Sequence, residues 1–187
     1  MSETARPMRA DAARNRARVL EVAYEAFASD GLSVPIDEIA RRAGVGAGTV
    51  YRHFPTKEAL FAAVIDDRVR SIAVSGRELL VSAGPGEALF EFIREMVATS
   101  AVDHGLVEAL AGYGMDVDVA APGAEAVFLE LLADLLASAQ GAGTARRDVG
   151  VAEVKALLVV CKATQTYGDE VTGKVTAVIE AGLRSTS

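Results

Sequence analysis

The fold of this chain is decided by residues 36–51, which read IDEIARRAGVGAGTVY. Gly44 can adopt the left-handed conformation that ends one helix shortly before the next begins. Ala40 is small enough to let two steeply crossing helices approach each other closely. The spacing of these two residues predicts a helix-turn-helix over about residues 36–54.

The second helix of this pair has one apolar face and one polar face. Val50 and Phe54 are four residues apart and therefore share the buried face. The outward face carries a hydroxyl, a guanidinium and two rings, which are groups that read base edges and phosphates in a DNA major groove. These outward residues are Gly48, Thr49, Tyr51, Arg52 and His53. Gly46 and Ala47 would let the start of the helix approach DNA closely, and Lys57 is placed for a phosphate.

The rest of the chain is predicted to be all-α. Apolar residues recur at intervals of three and four rather than two, and Gly or Pro interrupts the pattern at helix-length intervals. We expect about nine helices, with no strand and no internal repeat. Their predicted ranges are about 11–29, 36–43, 47–53, 56–81, 87–103, 106–111, 125–140, 149–167 and 169–183.

Composition excludes several classes of protein. The 187 residues are 51% hydrophobic, which is too apolar for a disordered chain. A single cysteine, Cys161, excludes an intrachain disulfide framework and a CxxC zinc module, and two histidines leave few ligands for any other metal. The polar, Arg-rich start lacks the apolar core of a signal peptide, and no apolar stretch is long enough to span a bilayer. We therefore expect a soluble, cytoplasmic protein without a membrane partner.

The net charge of −7 is unevenly distributed along the chain. Residues 1–60 hold nine basic and eight acidic side chains, whereas residues 61–187 hold ten basic and eighteen acidic side chains. Phosphate binding depends on cations within about 8 Å at physiological salt, so one end of such a chain can still bind DNA. Charge alone, however, favours a solvated tail as the explanation of the Arg-rich terminus.

The run DEIARRAGV at residues 37–45, followed by GTVYRHFPTKEAL at residues 48–60, resembles the DNA-binding signature of the TetR family of transcriptional regulators. The resemblance covers roughly residues 14–62. It implies a homodimer in which each subunit places its recognition helix in a major groove of a double-stranded DNA operator. It also implies a DNA-binding domain over residues 1–56 and an all-helical domain over residues 57–187, which binds a small organic effector and dimerises through its last two helices.

Two positions depart from the family pattern. Many members carry Ser or Thr where Pro35 stands and Ser-Lys where Gly46-Ala47 stands, so capping hydroxyls and one cation are missing here. The arginines before Val19 would compensate in part. The candidate DNA-binding residues are Arg14, Arg18, Arg42, Gly46, Ala47, Gly48, Thr49, Tyr51, Arg52, His53 and Lys57.

Apolar stripes run along the last two predicted helices at intervals of three and four residues. Packing within the subunit is one interpretation of these stripes, and the family resemblance favours a dimer interface. The candidate interface residues are Val154, Leu158, Cys161, Val171, Val175, Val178 and Gly182.

A ligand pocket is predicted among the helices between residues 61 and 167. Large apolar residues in such a region are more often plain core than cavity lining. His104, Tyr113 and Gln165 would orient a ligand if a pocket exists. The candidate ligand-binding residues are Phe61, Ile65, Phe92, Met96, His104, Tyr113, Phe128 and Gln165. Since no charge cluster indicates an ionic ligand, a largely apolar or amphipathic compound is expected.

These features predict a transcriptional regulator, in the first place a repressor that its effector releases from the operator. An activator, a regulator that needs a co-repressor, and a DNA-binding protein without any effector remain open. A helical enzyme is disfavoured, because the sequence holds no metal cluster, no paired catalytic carboxylates and no nucleophile motif. No catalytic residue, metal or cofactor is therefore predicted, and the operator, the regulated genes and the effector cannot be read from the sequence.

Overall fold

The computed structural model describes residues 5–99, Ala121 and 123–185, with side chains from Asp11 onward. Over these residues the chain is all-α, as predicted, and no strand longer than the single bridge between Ala145 and Arg184 occurs. The helices are α1 (Ala5–Asp30), α2 (Ile36–Ala43), α3 (Ala47–His53), α4 (Lys57–Ser82), α5 (Ala88–Ala98), α6 (Ala124–Gly141), α7 (Val151–Ala163) and α8 (Asp169–Leu183), and a 3₁₀ helix covers Thr164–Tyr167. None of the described helices is both long and apolar enough to cross a membrane.

Helix α1 begins at Ala5, several residues before the predicted start near residue 11. Pro7 lies in its first turn, where backbone N–H groups have no partner within the helix, so the missing N–H costs no hydrogen bond. Helix α5 ends at Ala98 with Thr99 as its C-cap, short of the predicted end near residue 103. The predicted helix over about 106–111 lies outside the described residues.

The helix predicted over 149–167 is shorter than expected, since α7 ends at Ala163 and the 3₁₀ helix follows. Thr164 Oγ1 donates to the Cys161 carbonyl at 2.6 Å, and Thr166 Oγ1 donates to the Ala163 carbonyl at 3.1 Å. Side-chain hydrogen bonds of this kind compete with the helical ladder. Gly168, at φ +92°, then turns the chain into α8.

The first compact unit comprises residues 5–68 together with Ala121. Its core joins α1, α2, α3 and the start of α4. The rings of Phe27 and Phe61 pack with centroids 5.5 Å apart, and both side chains are buried. Other buried residues of this unit are Leu20, Ala23, Ile39, Ala40, Ala43, Val50, Phe54, Leu60 and Val64.

The second compact unit comprises residues 69–99 and 123–185. At its centre α4 approaches α6 so closely that a Cβ on Gly76 would lie 2.8 Å from Leu131 Cδ2. Arg184 follows α8, donates through both terminal nitrogens to Glu87 (2.9 and 2.7 Å) and covers the Phe90 ring at 3.9 Å. The last helix is thereby fastened to the segment that starts α5.

Candidate nucleic-acid interface and ligand groove

The turn between α2 and α3 is fixed by backbone hydrogen bonds. Gly44 lies at φ 70° and ψ 29°, and its N–H donates to the Arg41 carbonyl at 3.2 Å. The Val45 N–H donates to the Ala40 carbonyl at 3.0 Å. This pair of bonds is the Schellman arrangement that stops a helix at a left-handed residue. Ala40 is buried at the crossing, as the sequence predicts.

Packing inside the protein does not require the two glycines at the start of α3. A Cβ on Gly48 would meet nothing within 4 Å, and a Cβ on Gly46 would meet only Thr49 Oγ1 at 3.9 Å. Neither glycine has a positive φ. A glycine inside a helix costs about 0.5–1 kcal/mol relative to alanine, so Gly48 lowers the stability of α3 without relieving any internal contact.

Helix α3 has the two faces that the sequence predicts. Val50 is fully buried and Phe54 is 3% exposed. The opposite side presents Gly48, Tyr51 and Arg52, with Tyr51 exposed by 46% despite its large ring. The other predicted residues of this helix differ in burial: His53 is exposed, whereas Ala47 and Thr49 are half-buried. In the described part of the chain Arg52 makes no ion pair, so its guanidinium remains available for phosphate or guanine.

Arg42, also predicted to bind DNA, already has two acidic partners. Its Nη1 lies 2.7 Å from Oδ2 of Asp30, and its Nε donates to Oε1 of Glu38 at 2.8 Å. Arg41 donates to both oxygens of Glu38 at 2.7 Å each. Hydrogen bonds from Arg41 and then Arg42 lower the pKa of Glu38 from 4.5 to about 2. The structure therefore places Arg42 in an internal charge network rather than among unpaired cations.

The basic residues of α1 and α4 differ in their ion pairs and in their burial. Arg14 is ion-paired with Asp11, and Arg18 is exposed without an ion pair among the described residues. Lys57 is half-buried, and burial lowers the pKa of its ammonium group. Sequence reasoning missed Arg16, whose guanidinium lies 5.5 Å from the centroid of the Phe54 ring. No local spacing could have revealed a contact between residues so far apart in the chain.

Most of the predicted ligand residues lie in the apolar cores, and their contact with a ligand stays a prediction. Phe61 and Ile65 are buried in the core of the first unit, and Phe92 and Met96 are buried in the core of the second. Phe128 packs its ring against Phe92 at 6.3 Å between centroids. These large apolar side chains fill cores because burial removes them from water. His104 and Tyr113 lie outside the described residues.

Gln165 is the predicted ligand residue that does line a groove in the second unit. The groove has a volume of about 700 Å³ and runs between α5, the 3₁₀ helix and α8. Its lining residues are Arg94, Val97, Ala98, Gln165, Asp169, Thr172, Gly173, Thr176, Ala177 and Glu180. Sequence reasoning missed the α8 residues, since it treated that helix as dimer interface alone. A concave site of this size fits a small organic molecule.

The predicted interface residues of α7 lie inside the protomer. Val154, Leu158 and Cys161 are buried within the protomer, so they cannot present their side chains to a second copy. Burial raises the pKa of the Cys161 thiol. The outward face of α7 instead carries Val159 and Val160, which are 60% and 50% exposed.

The predicted interface residues of α8 share one side of the helix, and their part in a dimer interface stays a prediction. Val171 and Val178 are 43% and 71% exposed, Gly182 is exposed, and Val175 is half-buried. With 3.6 residues per turn, Val178 lies on the side of α8 opposite Asp169. The valine face and the groove therefore occupy different sides of the same helix.

Comparison with known proteins gives the class of this chain. The family described as bacterial regulatory proteins, tetR family, matches residues 19–64, and the SbtR-like transcriptional regulator C-terminal domain matches residues 84–185. A TetR transcription regulatory protein from Mycobacterium vanbaalenii has a solved structure that is 64% identical, with 95% of this chain and 99% of that chain covered and a TM-score of 0.82. A TetR transcriptional regulator from Streptomyces coelicolor is 30% identical over 92% of this chain and 99% of its own, with a TM-score of 0.77.

A curated relative matches the N-terminal part alone. An HTH-type transcriptional regulator of Staphylococcus aureus (strain USA300) is 42% identical over 59 residues, which is 31% of this chain and 32% of that protein. The alignment thus spans about a third of the curated relative. Taken with the matches over both halves of the chain, the protein belongs to the TetR family of bacterial transcriptional regulators. It is a DNA-binding regulator rather than an enzyme.

Proposed function

We propose that the protein is a homodimeric transcriptional repressor that a small organic effector releases from its operator. Each subunit would place α3 in a major groove, and the two α3 helices would lie about 34–36 Å apart to fit successive grooves. The exposed residues Gly48, Tyr51 and Arg52 would contact the DNA directly.

The surface of α3 is the observation that carries this proposal. Tyr51 is a large ring left 46% exposed, Arg52 has no ion pair in the described ranges, and Gly48 is small without an internal cause. A folded domain has no structural need for this combination. A tyrosine ring can contact thymine methyls, a guanidinium can bind a phosphate, and a missing Cβ allows backbone approach.

The dimer is supported by the apolar outward faces of α7 and α8. Val159, Val160 and Val178 are each at least half exposed. Exposed apolar side chains gathered on adjacent helices mark interaction surfaces, and a symmetric pair of such faces can cover itself. A single helix-turn-helix binds DNA weakly, because affinity requires contacts at both half-sites.

The effector role is supported by the groove of about 700 Å³ in the second unit. An effector relieves repression only if it binds the DNA-incompetent arrangement of the dimer more tightly than the DNA-competent one. An effector that tightened operator binding would instead define a co-repressor.

The test begins with a duplex enriched by the protein from a library of random sequences. Fluorescence anisotropy then compares the wild type with Tyr51→Ala, Arg52→Ala and the control Arg147→Ala, an exposed arginine of the second unit. We expect Tyr51→Ala and Arg52→Ala each to weaken binding by about tenfold or more, and Arg147→Ala to leave it unchanged. Unchanged affinity in both α3 variants, with their thermal unfolding intact, would refute the assignment of α3 as the reading surface.

A further inference from the structure

The groove in the second unit is lined by small apolar residues and by polar or charged side chains. Its apolar lining comes from small side chains, with Val97 and Ala98 on α5 and Gly173 and Ala177 on α8. These residues leave space rather than fill it. The remaining residues of the lining are polar or charged, so they decide what a ligand must offer.

The two threonine hydroxyls of the groove have already donated their hydrogens, and the Gln165 amide has donated one of its two. Thr172 Oγ1 donates to the Gly168 carbonyl at 3.1 Å, and Thr176 Oγ1 donates to the Thr172 carbonyl at 2.8 Å. Gln165 Nε2 donates to the Val97 carbonyl at 2.7 Å. A hydroxyl has one hydrogen, so each threonine can only accept a further bond, and the Gln165 side-chain oxygen is an acceptor as well. The groove is therefore rich in acceptors.

Charge in the groove is acidic once its arginine is accounted for. Arg94 donates to Glu180 at 2.7 Å through Nη1 and lies 2.9 Å from Glu91 through Nη2. One guanidinium thus faces two carboxylates, and both raise the pKa of Arg94 and keep it charged. Asp169 adds a third carboxylate on α8. A ligand carboxylate placed beside Arg94 would meet uncompensated negative charge.

We propose that this groove binds a protonated organic amine with an apolar body. The ammonium would sit near Asp169 and donate to the side-chain oxygens of Gln165 and Thr172. The apolar body would lie along Ala98, Gly173 and Ala177. This inference rests on the proposed function only for the role of the groove as the effector site. The sequence alone suggests a ligand without charge. The ion pairs of Arg94 with Glu180 and Glu91, which leave the groove acidic, become visible only in the folded structure.

The test uses four probes of one chain length with the full-length protein. Octylammonium carries charge and N–H donors, octyltrimethylammonium carries charge alone, octan-1-ol is neutral, and octanoate is anionic. Titration calorimetry without DNA gives each dissociation constant. We expect octylammonium to bind at least about tenfold more tightly than the other three, because a charged donor forms stronger hydrogen bonds with the acceptors of the groove. Octanoate or octan-1-ol binding as tightly as octylammonium overturns the proposal, and equal binding of octyltrimethylammonium overturns its hydrogen-bonding part.

Two variants place the amine in the groove. Asp169→Asn should weaken octylammonium about tenfold, whereas Asp134→Asn, an exposed carboxylate of α6, should have no effect. Ala177→Leu keeps every charge but fills the groove, so it should abolish the binding of octylammonium. If octylammonium binds Asp169→Asn and Ala177→Leu as tightly as it binds the wild type, the groove is not its site.

A separate measurement distinguishes this inference from the proposed function. Anisotropy with the enriched duplex reports whether octylammonium releases DNA. Binding in calorimetry without release supports the amine site and contradicts the effector role. Intact DNA binding without any amine binding contradicts the amine site and leaves the DNA-binding function standing.

Discussion

Asp30, the last residue of α1, forms an ion pair of 2.7 Å with Nη1 of Arg42 near the end of α2. The same guanidinium uses its Nε to hold Glu38. An exposed ion pair alone contributes little, but a planar guanidinium that bridges carboxylates of two helices restrains the angle between them. We therefore expect Arg42 to position the helix-turn-helix, in place of the phosphate contact that its sequence position suggests.

Arg42→Ala and Arg52→Ala should differ in the salt dependence of DNA binding. Each phosphate contact contributes about −0.9 to the slope of log K against log salt. Arg52→Ala should make the slope less steep by roughly two in a dimer, whereas Arg42→Ala should weaken binding with the slope unchanged. Anisotropy titrations over about 50–200 mM salt measure both slopes. If Arg42→Ala makes the slope less steep by as much as Arg52→Ala does, Arg42 contacts phosphate.

Glu38 should make stability depend on pH in acid. Its pKa of about 2 in the folded protein lies below the ordinary 4.5, so the carboxylate stabilises the fold fully above pH 4.5. That contribution is lost as the pH falls from 4.5 through about 2. The gap in urea midpoint between wild type and Glu38→Gln should therefore be largest near neutral pH and shrink below about pH 4.5. Glu25→Gln, on α1, is the control. If the difference in urea midpoint between wild type and Glu38→Gln stays constant with pH, the lowered pKa of Glu38 is contradicted.

Gly48→Ala should move stability and DNA binding in opposite directions. The added Cβ meets nothing within 4 Å and removes a helix-destabilising glycine, so stability should rise by about 0.5–1 kcal/mol. DNA affinity should fall, because the methyl group projects from the reading surface. Thermal unfolding and anisotropy measure the two effects. Gly141→Ala on α6 also meets nothing within 4 Å and should leave DNA binding intact.

Gly76→Ala should have the opposite effect on stability. Its Cβ would lie 2.8 Å from Leu131 Cδ2 and 3.2 Å from Phe92 Cδ2, and both side chains are buried. Overpacking of this kind costs about 1–3 kcal/mol. The melting temperature should therefore drop. An unchanged or higher value would mean that α4 and α6 can separate at little cost.

Val178→Glu should convert the dimer to monomers. Val178 is 71% exposed on the valine face of α8, where a carboxylate would be buried against its symmetry mate. Val81→Glu is the matched control, since Val81 is 88% exposed on α4 and outside that face. Light scattering gives the mass of each variant. A Val178→Glu protein that remains dimeric places the interface elsewhere.

The helix-turn-helix could be predicted from sequence because its determinants are local. Gly44 must be left-handed for the turn to form, and the four-residue spacing of Val50 and Phe54 is enough to orient α3. The bonds from Glu38 to Arg41 and Arg42 also follow local helical spacing. The bridge to Asp30 does not, because it needs α1 and α2 to be folded together.

The second unit could be predicted only as helices. An apolar stripe reveals that residues are buried but not what buries them, so Val154, Leu158 and Cys161 fit an interface and a core equally well. The groove was missed for a related reason. Its character comes from which hydrogens Thr172 and Thr176 have already donated, and this depends on three-dimensional contacts.

The burial of Cys161 has a practical consequence for measuring how the dimer responds to its ligand. It is the chain's one cysteine, and a fully buried thiol with a raised pKa reacts poorly with labelling reagents. A second cysteine introduced at His53 would then be the single reactive thiol of each subunit. A spin label attached there would report one distance per dimer, that between the two recognition helices, with the amine absent and present.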